Sequence, residues 1–217
     1  RTKPKEKTAL TLGQLRALAS SCGDYKALVL FAGTTGLRWG EIAALQCKDV
    51  SLLNRTVFVS KAYSSGLKGE KLLGGTKTHQ SRTVPFTKEL LPDLSALIEN
   101  KAAEAHLFQM PGYGSLDYNN FMNRYFKPAV IRAGLTSIGF HSLRHTSASL
   151  LISQGTPVTT VSKILGHAST QMTLDVYGHL YEDDATTYMD RLGDSLFNAG
   201  TDKERTNVLQ VGLKATK

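Results

Sequence analysis

Apolar positions recur at helical spacing over most of the chain, and one short stretch breaks the period. Thr11-Leu12-Gly13-Gln14 has the form of a capping box, and Leu12, Leu15, Leu18 and Ala19 follow on one helical stripe. Asp24 is placed to cap a second helix, whose run Ala27-Leu28-Val29-Leu30-Phe31-Ala32 is too apolar for a surface element. Gly36 is expected to end it in the left-handed conformation, with Arg38 near the start of a third short helix through Ala43 and Leu45. The period then changes. Thr56-Val57-Phe58-Val59 is β-branched and aromatic, as a strand requires. Lys71-Leu72-Leu73 and Arg82-Thr83-Val84-Pro85 flank the turn-like Thr78-His79-Gln80-Ser81, which predicts a small antiparallel sheet with Lys77 near a hairpin tip. Residues 63–69 read as a flexible loop.

Helical spacing returns from Thr87 to about Glu104, with Pro92 tolerable only in the first turn. Asp117 is expected to cap the next helix, where Phe121, Met122, Tyr125 and Phe126 form a stripe read as core packing, and Gly134 ends it. Ser142 to Gly155 is the next helix. Another starts at Pro157 and stops at Gly166, and Thr170 begins the segment bearing Tyr177. A last helix has Glu182, Asp183 and Asp184 in its first turn, suiting the macrodipole, and an apolar stripe of Ala185, Tyr188, Met189, Leu192 and Leu196. That acidic helix is expected to avoid polyanions and pack on protein. Residues 198–217 form a polar tail, apart from Leu209, Val211 and Leu213 at strand spacing.

A chain of 217 residues can bury a substantial core without disulfides. Its two cysteines, Cys22 and Cys47, form no C-x-x-C pair, which excludes a zinc ribbon or redox motif. Reduced thiols in a cytosolic protein are the simple reading, and no apolar run reaches membrane-spanning length. The charged start, residues 1–10, reads as a basic linker from a longer protein. Net charge is +8, which favours polyanionic partners. Residues 1–88 carry 15 Lys+Arg against 5 Asp+Glu, whereas residues 89–217 carry 11 against 13. The first half is therefore the expected source of sequence-independent DNA affinity.

The chemistry concentrates in a few short blocks. Breaking a phosphodiester loads negative charge onto the non-bridging oxygens, and many nucleases meet it with metal ions. This chain has no D-x-D or similar carboxylate cluster. It has two arginines, Arg38 and Arg144, a lysine, Lys77, and histidines upstream of Tyr177. Guanidinium forks match phosphate oxygens, and such fixed cations can supply electrostatically what a metal supplies elsewhere. His141 and His145, four residues apart, share a helix face, but no third ligand has metal-like spacing. No Walker or dinucleotide-binding glycine pattern occurs, so no cofactor is expected and no metal.

Five blocks in fixed order resemble the tyrosine recombinase, or phage integrase, family over essentially the whole chain. They are Thr35-Gly36-Leu37-Arg38-Trp39-Gly40-Glu41-Ile42, then Thr76-Lys77-Thr78 before Arg82-Thr83-Val84-Pro85. They continue with His141-Ser142-Leu143-Arg144-His145-Thr146, then Leu165-Gly166-His167, and end with Thr173-Leu174-Asp175-Val176-Tyr177. The resemblance implies a predominantly helical catalytic fold over residues 11–197 with a small three-stranded antiparallel sheet. It implies that Tyr177 attacks the scissile phosphate, giving a 3′-phosphotyrosyl bond and a free 5′-hydroxyl without metal or ATP. Arg38 and Arg144 would clamp the non-bridging oxygens, and Glu41 would orient Arg38. Lys77 would be the general acid, with Lys71 its nearest competitor. His141 would assist proton transfer at Tyr177 or bind the phosphate, His167 would hydrogen-bond a non-bridging oxygen, and His145 would be a packed support.

The implied partners are double-stranded DNA recombination sites, bound by a homo-tetramer that passes through a Holliday junction. A separate N-terminal DNA-clamping domain is implied, with room for an accessory directionality factor, and the C-terminal tail is a candidate for exchange between protomers. Two other readings stay open: a type IB topoisomerase-like enzyme that relaxes supercoils, and a non-catalytic DNA-binding protein on the same fold.

Overall fold

The computed structural model describes residues 9–65, 71–75, 81–112, 114–136, 138–181 and 185–197. Residues through Leu180 form one compact unit, and those from Tyr181 form a second. Helix α1 (Leu12–Ser21) starts on the expected box: Gln14 N donates to Thr11 Oγ1 and Thr11 N donates to Gln14 Oε1. Leu15, Leu18 and Ala19 are buried, but Leu12 in the first turn is exposed, so the buried stripe begins one turn later than the spacing predicts. Asp24 does not cap the second helix. It lies inside a 3₁₀ turn (Gly23–Tyr25), and that turn supplies the first backbone bonds before α2 (Lys26–Thr35) begins. α2 is buried by Leu28, Val29, Phe31 and Ala32, as its composition requires, and packs against α1 and α7. Gly36 ends it at φ 66°, and Arg38 is the N-cap of α3 (Trp39–Ala44).

Strands β1 (Val50–Ser51), β2 (Thr56–Val59) and β5 (Arg82–Pro85) make a three-stranded antiparallel sheet in the order β1-β2-β5. Val57 pairs with Val84, and both are fully buried. A one-residue slip would turn these valines to solvent, so the core fixes the register. The hairpin flanks expected to pair with each other pair elsewhere. β4 (Lys71–Gly75) forms a separate antiparallel pair with β3 (Lys61–Ser65), while β5 is matched to β2. Residues 63–65, read as loop from the sequence, are therefore strand. Helix α4 (Leu91–Ile98) is preceded by a 3₁₀ turn and holds Pro92 in its first turn. It stops short of Glu104 because Asn100 turns left-handed at φ 62°. The chain beyond it bridges Gln46 to His106.

Asp117 Oδ1 accepts from Asn120 N and caps α5 (Tyr118–Phe121). One π turn (Met122–Phe126) links α5 to α6 (Lys127–Arg132). Pro128 lies just beyond it; a proline has no N–H to offer the preceding turn and its ring crowds that turn. Phe121, Met122 and Phe126 are buried in the main core, as their stripe predicts. Helices α7 (His141–Ser153), α8 (Val158–Leu165) and α9 (Thr170–Tyr177) follow, α8 packing on both α7 and α9 and also on β5.

The second unit holds α10 (Ala185–Phe197), on which Tyr188, Met189, Leu192, Leu196 and Phe197 are exposed. The acids 182–184 and the tail 198–217 lie outside the described residues. Among the described residues no helix is long and apolar enough to cross a membrane.

Candidate active site

Glu41 ties two distant parts of the chain together. Its side chain is 1% exposed, in the first turn of α3. Arg82, on β5, donates a two-pronged fork to it, from Nη1 to Oε1 at 3.0 Å and from Nη2 to Oε2 at 2.8 Å. Arg38 donates from Nη1 to Oε1 at 3.0 Å and from its backbone N to Oε2 at 2.9 Å. Burial raises the Glu41 pKa, but the bonds and charges of Arg82 and then Arg38 outweigh it and hold the carboxyl below its ordinary value. A carboxylate with this many charge-assisted donors stays ionised. The end of α8 braces the same group: Arg82 Nε donates to Ile164 O at 3.1 Å, and Arg38 Nη2 reaches Gly166 O at 3.4 Å.

Gly166 has φ 66°, and a Cβ there would meet Arg82 Cζ at 2.6 Å. Only glycine combines the left-handed backbone with that approach. Gly166→Ala is expected to cost about 1–2 kcal/mol from the backbone alone and also to push Arg82 off Glu41. A thermal melt checks the first effect and the DNA-cleavage rate the second.

Arg144 occupies the next position inward. It is 4% exposed on α7. Nη1 donates to Gly36 O at 2.8 Å, a carbonyl presented by the left-handed turn between α2 and α3. Nη2 is buried and has no hydrogen-bond partner among the described residues. Desolvation, then the charges of Arg38 and Arg82, pull the Arg144 pKa down to about 10, with Glu41 and Tyr177 opposing. The group remains a cation at neutral pH. Three guanidiniums thus face one carboxylate, and a buried unsatisfied donor of this kind costs free energy unless an acceptor meets it.

Tyr177 closes α9 and is turned inward, 4% exposed. It is not remote from the cations, since the Arg144 charge acts on the phenol. Burial nevertheless outweighs that charge and pushes the pKa up to about 12. The resting phenol is therefore protonated at neutral pH. Tyr177 Oη lies 2.6 Å from His145 Nδ1, and His145 is itself buried. His141, exposed at the start of α7, sets its ring across that of His145 at 4.8 Å between centroids.

His167 follows the Gly166 turn, and its Nδ1 lies 2.7 Å from the buried Thr173 Oγ1, which orients the ring. With Arg82, Lys163 and Ser162 it lines an open cavity of about 690 Å³ beside the start of α9. Lys77 lies outside the described residues, and the Lys71 side chain does too. The structure therefore draws Arg38, Glu41, Arg144, His145, Tyr177 and His141 into one connected region, with His167 adjoining it through Gly166 and Arg82. Among the described residues no group of three or more His, Cys, Asp or Glu side chains is arranged to hold a metal ion.

Sequence reasoning missed Arg82, which it treats only as the first residue of a strand. The available signal was Glu41: a carboxylate on an otherwise apolar short helix needs more than one neighbouring cation to be buried.

Residues 9–184 match the phage integrase family. The chain is 33% identical over 186 residues to the ICEBs1 integrase of Bacillus subtilis, covering 79% of this chain and 49% of that protein. It is 30% identical over 164 residues to the integrase of Escherichia phage P2, covering 75% and 40%. The chain thus spans about half or less of the length of these relatives. The Tn1549 transposon integrase in complex with circular intermediate DNA superposes with a TM-score of 0.74 at 22% identity, covering 87% of this chain and 67% of that one. The catalytic domain of bacteriophage HP1 integrase superposes at 0.59 and 23%, covering 90% and 97%. Those two likenesses concern the fold, mostly helical with small antiparallel sheets; the match over residues 9–184 settles the lineage, and this chain belongs to the phage integrase family.

Proposed function

We propose that this chain is the catalytic part of a site-specific recombinase that cuts and rejoins DNA through a 3′-phosphotyrosyl intermediate, without metal or ATP. The observation that carries the reading is the buried Nη2 of Arg144, without a hydrogen-bond partner among the described residues, under the charge of Arg38 and within electrostatic reach of the Tyr177 phenol. A site that holds cations together at the cost of mutual repulsion is suited to an anion whose charge grows in the transition state. Tyr177 Oη attacks phosphorus, and the bond to the 5′-oxygen breaks. Arg144 and Arg38 hold the non-bridging oxygens, His167 adds a hydrogen bond, and Lys77 protonates the leaving 5′-oxygen. The ester conserves the bond energy, so a 5′-hydroxyl from another strand can reverse the step.

The partners are duplex recombination sites, bound by four copies of the chain. The exposed apolar stripe of α10 supports assembly, since an amphipathic helix with Met189, Leu192 and Leu196 in solvent has a face to bury. The net charge of +8 supports phosphate-dominated binding. DNA affinity is expected to fall steeply and log-linearly with salt; a flat response in a binding titration would remove that part of the reading.

The test is a nicked suicide duplex resolved on a denaturing gel, paired with a strand-joining assay on two duplexes. Expected are a protein–DNA adduct that disappears in Tyr177→Phe and joining between the two substrates. Relaxation of supercoils without joining would favour a type IB topoisomerase-like enzyme. Binding without any adduct would favour a non-catalytic DNA-binding protein.

A further inference from the structure

The mechanism above does not assign the proton of the nucleophile, for which the family resemblance offers His141 as one of two roles. We propose that His145 is the general base that takes this proton through Nδ1, and returns it when the strand is resealed. The inference rests on the reading of Tyr177 as the nucleophile and adds a catalytic residue to it.

The geometry places the acceptor on the reacting atom. His145 Nδ1 is 2.6 Å from Tyr177 Oη, within the range a base needs for direct transfer. The two groups come from different helices, α7 and α9, and both are buried, so the contact is set by packing. His145 directly follows Arg144, so one helical turn carries both the phosphate-facing cation and the base. The phenol, pushed up to about 12 by burial, stays protonated at neutral pH and would be a poor nucleophile without an acceptor. A protonated phenol donates to an unprotonated Nδ1, which selects the tautomer with the proton on Nε2.

The step balances. The O–H bond of Tyr177 breaks and an N–H bond forms at His145 Nδ1. Tyr177 Oη forms its bond to phosphorus as the 5′-oxygen departs, taking a proton from the general acid. Resealing runs the same transfers in reverse: the 5′-hydroxyl gives up its proton, and the imidazolium gives one back to the phenol. Arg144 steadies the phenolate character that develops meanwhile. Among the described residues, the titratable and charged groups near the His145–Tyr177 pair include His141 and Arg144 on α7, and His179 is carried by the 3₁₀ turn (Gly178–Leu180) that packs on α7. Protonation of His145 removes the base, so cleavage should rise with pH through the titration of His145 and then level off.

His145→Asn tests this, because Asn Oδ1 stands near the Nδ1 position and accepts a hydrogen bond but takes no proton. Single-turnover cleavage of a suicide duplex is measured against pH for wild type, His145→Asn and Tyr177→Phe, with DNA binding and thermal melting recorded for each. Expected is a loss of about 10²–10⁴-fold at neutral pH in His145→Asn, with bound DNA retained and with a rate that keeps climbing where wild type has levelled. Cleavage within a few-fold of wild type, on the same pH profile, would overturn the proposal. Should His145→Asn fold poorly, the wild-type chain still decides. The His145 imidazole is followed by nitrogen NMR, assigned by its change in Tyr177→Phe. Its titration must coincide with the acid limb of cleavage, and a mismatch overturns the proposal. An adduct that persists in Tyr177→Phe would instead remove the nucleophile reading itself.

Discussion

Arg144→Ala is expected to leave DNA binding nearly intact and to slow strand cleavage by about 10²–10³-fold or more, the range for losing one preorganised oxyanion donor. Arg144 is 4% exposed, Nη1 is committed to Gly36 O, and Nη2 has no partner among the described residues. Its pKa of about 10 keeps it charged while burial, Arg38 and Arg82 press on it. An interaction that strengthens as phosphorane charge develops appears in the rate and barely in the affinity. Single-turnover rates on saturating DNA, set beside filter-binding affinities, separate the two. Equal loss in both would mean that Arg144 binds the ground state as tightly as the transition state. Arg144→Lys should recover little, because an ammonium cannot hold Gly36 O and a phosphate oxygen in one rigid fork.

Glu41→Ala is expected to be the most destabilising single change in the site. It leaves Arg82 and Arg38 without the carboxylate they share, and removing one partner of a buried ion pair costs about 3–5 kcal/mol. For a domain of this size that is a fall of roughly 10 °C in melting temperature. Cleavage should fall with it, because both guanidiniums lose their orientation. The acid response supplies a second readout. The folded Glu41 pKa is depressed below its ordinary value. Its contribution to stability is therefore present above the ordinary glutamate pKa and lost as pH falls through the lower folded one. Glu41→Gln should flatten the acid limb of a stability-against-pH curve. An unchanged limb would mean the Arg38–Glu41–Arg82 network contributes nothing net to folding.

Much of this site is legible in the sequence because its determinants are local. The capping box at Thr11, the left-handed turns at Gly36 and Gly166, and the start of α3 at Arg38 each follow from residues within one or two turns. Each of the five blocks is likewise short enough to be read from adjacent residues. What the sequence hides is pairing at a distance. The fork from Arg82 to Glu41 joins a strand to a helix, and nothing beside either residue announces the other. β4 matches β3 instead of β5 because Val57 and Val84 claim β2 for β5 through the core. Burial of Tyr177 is equally non-local: α9 offers a tyrosine at the end of an ordinary helix, and only the fold, with α8 packed on both α7 and α9, brings His145 to the phenol, whose burial raises the pKa. The family resemblance implies that His141 assists the phenol or binds the phosphate. In the folded chain the 2.6 Å contact belongs to His145, with the His141 ring set across that of His145.

The central claim is that the phenol of Tyr177 becomes esterified to the broken strand inside a cage of arginines. The most direct measurement is to trap the adduct on a suicide duplex, digest protein and DNA, and locate the nucleotide-bearing peptide by tandem mass spectrometry. The account predicts one modified residue, Tyr177, carrying the phosphate of a DNA 3′ end. A nucleotide on any other side chain, Tyr181 included, or attachment through a 5′ phosphate, would contradict it.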